Sequence, residues 1–410
     1  MAGNVLKLVK EYKYVGILFT SVQRDIFERC YSEKARKARA SACGIFGTDR
    51  LVGRRRLPPT ITRNLYTALV DRHLIFGSEV IVDVGTKGPN ELDVVQKNFL
   101  RRMLGLSKKS TLAGLYTETA LLPLQFRRII LTLGYLAYLL KRVRDEGDEG
   151  LEPSYTSLAL RASSRLREAD SLCWLMDIDW VLQNLPGSEG KLKLPPLETM
   201  TVDLVTDLRN RTSTLACQQL QGQIDTNSKL TLLRDRIEPV DPSTKDSPRR
   251  HILYVRHYLK QVPDHRHRVI LTRLVLGDLS PAVFRARAGK EYTQTDNWRS
   301  LMCRGCGLQY ETPEHVVFRC MGDVELGRTR LLLVRDIAKR WCDWRIYQTA
   351  PLELMKRCIF DWDFVGRFAR ALFAIVARWR ERVKNPIKVF DDDMTDGDSE
   401  EEWSADDSDD

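Results

Sequence analysis

The chain has 410 residues, with 65 Lys or Arg against 55 Asp or Glu and a formal net charge of +10. That length supports a sizeable core and two or three domains. Nine cysteines, with Lys7, Lys10 and Lys13 breaking up any secretory segment, fit a reducing compartment and exclude a disulfide scaffold, so an intracellular protein, nuclear or cytoplasmic and not secreted, is expected.

The longest apolar run, Ile129 to Leu140, is too short to span a bilayer, so a buried helix and no membrane partner are expected. Charge is distributed unevenly. Residues 391–410 hold twelve acidic and no basic residues, leaving 65 basic against 43 acidic and a net of +22 over residues 1–390. So cationic a body predicts a polyanionic partner, RNA or single-stranded DNA. The competing reading is an Arg-rich chain whose charge is incidental. The acidic tail has too little apolar content to fold and is expected to be disordered.

In chain order, residues 5–20 are rich in β-branched and aromatic side chains and predict two short strands with a turn near Lys10-Glu11. Ser21 to Gly44 predicts a helix with Lys34, Arg36, Lys37 and Arg39 near its end. A basic loop containing Arg54, Arg55 and Arg56 follows, then a helix opening at Thr60 or Thr62. Between residues 34 and 63, nine basic residues face only Asp49, a candidate phosphate-contacting ridge; a solvated helix face is the alternative. Leu92, Val95, Phe99 and Met103 recur at helical spacing and predict an amphipathic helix stopped by Gly105. Helix is expected from Leu112 to Arg144, broken at Leu122-Pro123 by the proline. Asp145–Gly150 reads as a first domain boundary.

Leu158–Leu185 and Val202–Leu220 are expected to be helical, and Pro239, Pro242 and Pro248 mark a second boundary. From Arg249 to Lys290 ten basic residues, among them Arg250, Arg256, Lys260, Arg266 and Arg268, accompany Tyr254, Tyr258 and Phe284. Charges with interleaved rings suit single-stranded nucleic acid, although each ring taken singly reads as core. His251, His257, His265 and His267 have no cysteine or carboxylate beside them in sequence and are expected to form a solvent-facing basic cluster. Helices are expected at 323–341 and 351–384, the second with Phe364, Phe368, Leu372, Ile375 and Trp379 on one face.

One segment commits to a specific chemistry. Cys303 and Cys306 are a C-x2-C pair, followed by His315 and Cys320, four ligands suited to a tetrahedral Zn2+. Gly307 lets the backbone turn around a sulfur. Thr312-Pro313 reads as N-cap and first turn of a helix that carries His315 at its start and Cys320 near its end. Four protein ligands leave no open position, so one structural zinc is expected. Cys30, Cys43, Cys173 and Cys217 read as isolated buried thiols, and Cys342 and Cys358 lack a second ligand nearby. Phosphate loop, nucleophile elbow and H-E-x-x-H motifs are absent. Phe390-Asp391-Asp392-Asp393 matches an aromatic-x-Asp-Asp pattern but has no apolar strand after it to hold metal ions, so it is not read as catalytic.

Several stretches, in order, resemble the LINE-type (non-LTR) retrotransposon reverse transcriptases. Glu11-Tyr12-Lys13-Tyr14-Val15-Gly16-Ile17-Leu18 is similar to the strand after that family's catalytic palm. Leu57-Pro58-Pro59, Leu65 to Val70 and Leu74 to Val80 resemble the helical segment that follows. Val94 to Leu106 and Thr119 to Leu124 resemble the thumb, and the Cys-Cys-His-Cys segment resembles the knuckle near the C-terminus of many such polyproteins. The resemblance covers residues 5–140 and 250–320. It implies a nucleic-acid-gripping C-terminal part of such an enzyme, from a decayed element or a truncated gene, with a polymerase core supplied in trans as a possible partner.

No position matches the family's catalytic carboxylates, which would lie before residue 1, so no enzyme activity is expected of the chain itself. The alternative function is a zinc-stabilised protein-interaction scaffold. The fold class expected is mainly α: a β-hairpin (1–20), a helical thumb-like bundle (21–148), a helical connector (149–248), a basic helical segment (249–300), a zinc knuckle (301–322), C-terminal helices (323–388) and a disordered acidic tail (389–410).

Overall fold

The computed structural model describes residues 9–21, 25–52, 56–150, 152–240, 242, 252–279, 301–320 and 324–382. The fold is mainly α with one N-terminal hairpin. Strands β1 (Glu11–Tyr14) and β2 (Ile17–Thr20) pair antiparallel with Tyr14 opposite Ile17. The turn therefore lies at Val15-Gly16 and not at Lys10-Glu11. Both turn residues have positive φ, 46° and 82°, as a two-residue hairpin loop with the right twist requires.

The first helix, α1 (Glu28–Leu51), starts later and runs further than the sequence suggests. Gly44 and Gly47 do not end it, because Ile45 and Phe46 between them are buried and that gain exceeds the cost of about 1 kcal/mol per helical glycine. Next come α2 (Pro59–Leu65), a π-helical turn (Tyr66–Asp71), α3 (Arg72–Ile75) and α4 (Lys87–Leu104). Leu92, Val95, Phe99 and Met103 are all buried on α4. Gly105 ends it at φ 66°, where an added Cβ would lie 2.5 Å from a Val269 methyl carbon.

Helices α5 (Leu112–Thr119) and α6 (Leu124–Asp148) are separated at Pro123, as expected. The stretch 158–185 forms two helices, α7 (Tyr155–Glu168) and α8 (Trp174–Asn184), followed by α9 (Val202–Thr226). Beyond them lie α10 (His257–Gln261), α11 (His265–Val275), α12 (Val324–Arg340), α13 (Pro351–Ile359) and α14 (Val365–Arg382). The break between α13 and α14 replaces the single helix expected over 351–384. Asp361 Oδ1 accepts from the backbone N–H groups of Asp363 and Phe364 at 3.1 and 2.8 Å, capping a new helix start. Among the described residues no single helix is long and apolar enough to cross a membrane. Residues 1–8, 243–251, 280–300, 321–323 and the tail from 383 lie outside the described residues.

The chain divides into two compact units that do not follow the sequential segments. One draws on residues 1–44, 65–98 and 121–221, the other on 45–64, 99–120 and 222–410. Neither boundary read from linker composition separates them.

In the first unit α6, α7 and α8 pack on one another around Phe126, Leu133, Leu136, Leu160, Leu175 and Ile178. Arg128 is buried beside this core. Its guanidinium donates to Asp83 at 2.7 and 2.8 Å and to the Leu74 carbonyl at 2.6 Å, and Tyr31 Oη donates to the same carboxylate at 2.7 Å. In the second unit α14 is central, packing on α10, α11, α12 and α13. Its stripe Phe364 (just before the helix), Phe368, Leu372, Ile375 and Trp379 is wholly buried.

The second unit also encloses a polar network. The fully buried Glu118 carboxylate accepts from Arg236 at 2.7 Å and from Tyr258 Oη at 2.8 Å. Glu238 accepts from the His257 backbone at 2.7 Å and lies 2.9 Å from His257 Nδ1, while His257 Nε2 lies 2.8 Å from the Ile359 carbonyl.

Arg128→Met is expected to destabilise the chain by about 3–5 kcal/mol, because Asp83 and the carbonyls of Leu74 and Ile81 lose a buried cation. Urea unfolding followed by circular dichroism checks this; a loss below about 1 kcal/mol contradicts the clamp.

Candidate metal centre

The segment 301–320 folds around its cysteines. The Cys303 N–H donates to the Gln309 carbonyl and the Glu311 N–H to the Leu301 carbonyl, at 2.7 and 2.8 Å, with Met302 bridged to Tyr310. This short ladder is closed by a tight turn. The Gly307 N–H returns to the Cys303 carbonyl at 2.7 Å, and Gly307 takes φ 69°, the conformation its position after the second cysteine predicts. Thr312 Oγ1 accepts from the His315 N–H at 3.2 Å, so it caps the helical turn as expected. That turn is a π-helix, His315–Arg319, and Cys320 sits just past it in extended backbone and not within it.

Cys303, Cys306, His315 and Cys320 offer ligand atoms that all lie within 4.8 Å of one another, close enough to hold one metal ion. The Sγ atoms of Cys303 and Cys320 are 3.6 Å apart, and Cys306 Sγ is 3.4 Å from His315 Nε2. Tetrahedral bonds of ~2.3 Å to sulfur and ~2.05 Å to nitrogen place two sulfurs about 3.8 Å apart and a sulfur and a nitrogen about 3.6 Å apart. The donor set fits a tetrahedral ion.

The imidazole is oriented from behind: His315 Nδ1 lies 2.9 Å from Gln309 Oε1. Donating there leaves the Nε2 lone pair facing the thiols, the usual arrangement around a bound metal. Without a cation, the Cys303 thiol is pushed up to about 11, first by its hydrogen bond to Cys320 and then by burial, against the His315 side chain and the N–H groups of Cys306 and Gly305. A metal ion inverts that preference, since a coordinating thiol is deprotonated.

Four residues that the sequence did not single out hold the clasp. A Cβ on Gly305 would lie 3.3 Å from Cys320 Sγ and 3.5 Å from Trp379 Cδ1, so a larger residue in this turn would press on a candidate ligand by a few tenths of an ångström. Glu311, fully buried, takes the Arg304 guanidinium at 2.8 Å and the Arg304 N–H at 2.9 Å. Arg330 reaches from α12 to the carbonyls of Val316 at 2.6 Å, Val317 at 3.1 Å and Cys320. It thereby satisfies the open C-terminal end of the π-turn and sets a positive charge beside the sulfurs. Glycine at a crowded turn was legible in principle; Arg330 carried no local signal.

The thirteen basic residues read as phosphate contacts separate by burial. Arg36, Lys37, Lys260 and Arg266 are exposed, and Arg39 and Arg56 are half-buried. Lys34, Arg256 and Arg268 are buried and are not surface contacts. Lys34 lies on the inward face of α1 over the rings of Tyr31 and Phe76, where burial lowers its pKa. Arg256 joins the network at Glu238 (3.4 Å) and also donates to the Ile252 carbonyl. Arg268 donates to the Val262 carbonyl at 2.9 Å. Arg54, Arg55, Arg249 and Arg250 lie outside the described residues, as do Phe284, His251 and Phe390–Asp393.

Tyr258 is core, while Tyr254 is exposed beneath the Lys260 ammonium, 5.2 Å from its ring centroid. His257 is buried against Glu238 and does not join a solvent-facing cluster. Its carboxylate partner lies nineteen positions upstream in the chain, outside any local pattern. Among the isolated cysteines Cys30 is buried, but Cys43 is exposed.

Cys303→Ser and His315→Ala are each expected to reduce bound divalent metal from about one ion per chain to none, while Cys342→Ser leaves it unchanged. Native mass spectrometry checks this, and retention of the ion by Cys303→Ser contradicts the assignment. His265 is lowered to about 3, first by burial and then by Arg56 and Arg268. Between the ordinary histidine range near 6.5 and about 3 the unfolded chain binds the extra proton and the folded chain does not, so stability falls as pH falls through that window. His265→Gln is expected to flatten that part of the stability curve relative to the parent chain; parallel curves contradict it. Compared with known proteins, the chain matches no family model, no curated protein and no solved structure.

Proposed function

We propose that the chain is a zinc-stabilised, nucleic-acid-binding C-terminal part of a non-LTR retrotransposon reverse transcriptase, without a polymerase site of its own. The observation that carries the reading is the net +22 over residues 1–390 together with a closed thiol–imidazole clasp on the same body. Three thiolates and an imidazole are soft and borderline donors, a set that favours zinc over calcium or magnesium. All four positions are filled by protein, so the zinc holds the fold and does no chemistry.

Two exposed basic patches support contact with a phosphate backbone. Arg36, Lys37 and Arg39 lie on α1, where Ala35, Ala38 and Ala42 turn inward. Lys260 and Arg266 lie on α10 and α11, with the exposed ring of Tyr254 beside Lys260 available for base stacking. A second reading, a protein-interaction scaffold, is favoured by the internal use of charge: Lys34, Arg256 and Arg268 are buried, and Lys37 is paired with Glu33 at 2.6 Å.

A gel-shift salt series with single-stranded RNA separates the two. If the chain neutralises Z phosphates, log K falls with log[salt] at about −0.7Z, and Arg36→Glu with Arg266→Glu makes the slope shallower by about 0.7 for each lost contact. Binding indifferent to salt, or no binding at low salt, removes the nucleic-acid reading and leaves the scaffold.

A further inference from the structure

The first compact unit holds an open cavity of about 850 Å³, within the range that encloses a small organic molecule. Its walls come from α6, α7 and α8 and from Phe27, Val80 and Val84. Four aromatic side chains line it, Phe27, Tyr135, Trp174 and Trp180, with Tyr135 and Trp174 edge-to-face and their centroids 6.0 Å apart. Leu172 and Trp180 remain largely exposed at the mouth.

Asp177 is the single charged residue in this lining. Two positions along α8, Asp179 has an Arg167 guanidinium at 3.0 Å and the Leu194 N–H at 2.7 Å. Among the described residues Asp177 has no such partner for its carboxylate. Burial raises its pKa, with no cation to offset the effect. The Trp174 indole N–H is a second polar group in the lining that finds no acceptor among the described residues. An apolar cavity that keeps an uncompensated carboxylate among indole and phenol rings is complementary to an organic cation, which pairs with the acid and lies against the ring faces.

We propose that this cavity binds a small amphiphilic amine, its ammonium paired with Asp177 and its apolar body against Tyr135, Trp174 and Trp180. None of the metal-ligand residues and none of the basic residues read as phosphate contacts lines this cavity.

Dansylcadaverine, a fluorescent primary amine, and its neutral N-acetyl derivative are titrated against the full chain. The amine is expected to bind about tenfold more tightly than the acetylated probe, the gain of one desolvated charge contact. Asp177→Asn is expected to abolish that preference while leaving the acetylated probe's affinity unchanged. Ala159→Trp, at an exposed lining position, is expected to weaken both probes by narrowing the mouth. Thermal midpoints matching the parent chain exclude misfolding of either variant. Equal affinity for the two probes, a preference that persists in Asp177→Asn, or no response to either probe up to about 1 mM, far above a Kd that such a pocket supports, overturns the proposal.

Discussion

A single carboxylate constrains how the second compact unit is assembled. Glu118 has no exposure to water, so its charge is tolerable only if cations and hydroxyls surround it. Those groups come from distant parts of the chain: Arg236 from the segment after α9, and Tyr258 from α10. Glu238 and His257 extend the network to the carbonyl that ends α13. A residue on α5 thus selects one arrangement of three later segments, because any other leaves a buried anion without partners. The apolar contacts around α14 supply stability; the ions supply the register.

The metal clasp applies the same logic on a smaller scale. Its four ligands would lie close together only at the cost of crowding their lone pairs, unless a cation sits among them. Supporting groups then fix each ligand: Gln309 turns the imidazole, Gly305 admits Cys320, and Arg330 closes the π-turn behind the sulfurs. Trp379, under both Gly305 and Arg304, couples the clasp to α14.

Much of this was legible in the residues. The hairpin, the break at Pro123, the stop at Gly105 and the four-ligand segment rest on local rules: β-branching, a missing N–H, a positive φ and ligand spacing. The errors have different causes. Lys34, Arg256 and Arg268 were counted as surface charge, yet their partners are ring faces, carbonyls and carboxylates brought in by tertiary packing. The division of 351–384 turned on one aspartate, Asp361, whose side chain competes with the helix for two backbone N–H groups. The passage of α1 through two glycines depended on the burial of Ile45 and Phe46 between them. None of these is visible to a periodicity.

The interleaving of the two units bears on how the protein is made. Seven of the eight residues of α5 are buried, and Glu118 waits for Arg236, 118 positions later. During synthesis from the N-terminus at roughly 5–20 residues per second, that apolar helix and its anion emerge several seconds before the ribosome has produced the segments that cover them. Through that interval the apolar face of α5 and the Glu118 carboxylate lack the native groups that bury and pair them.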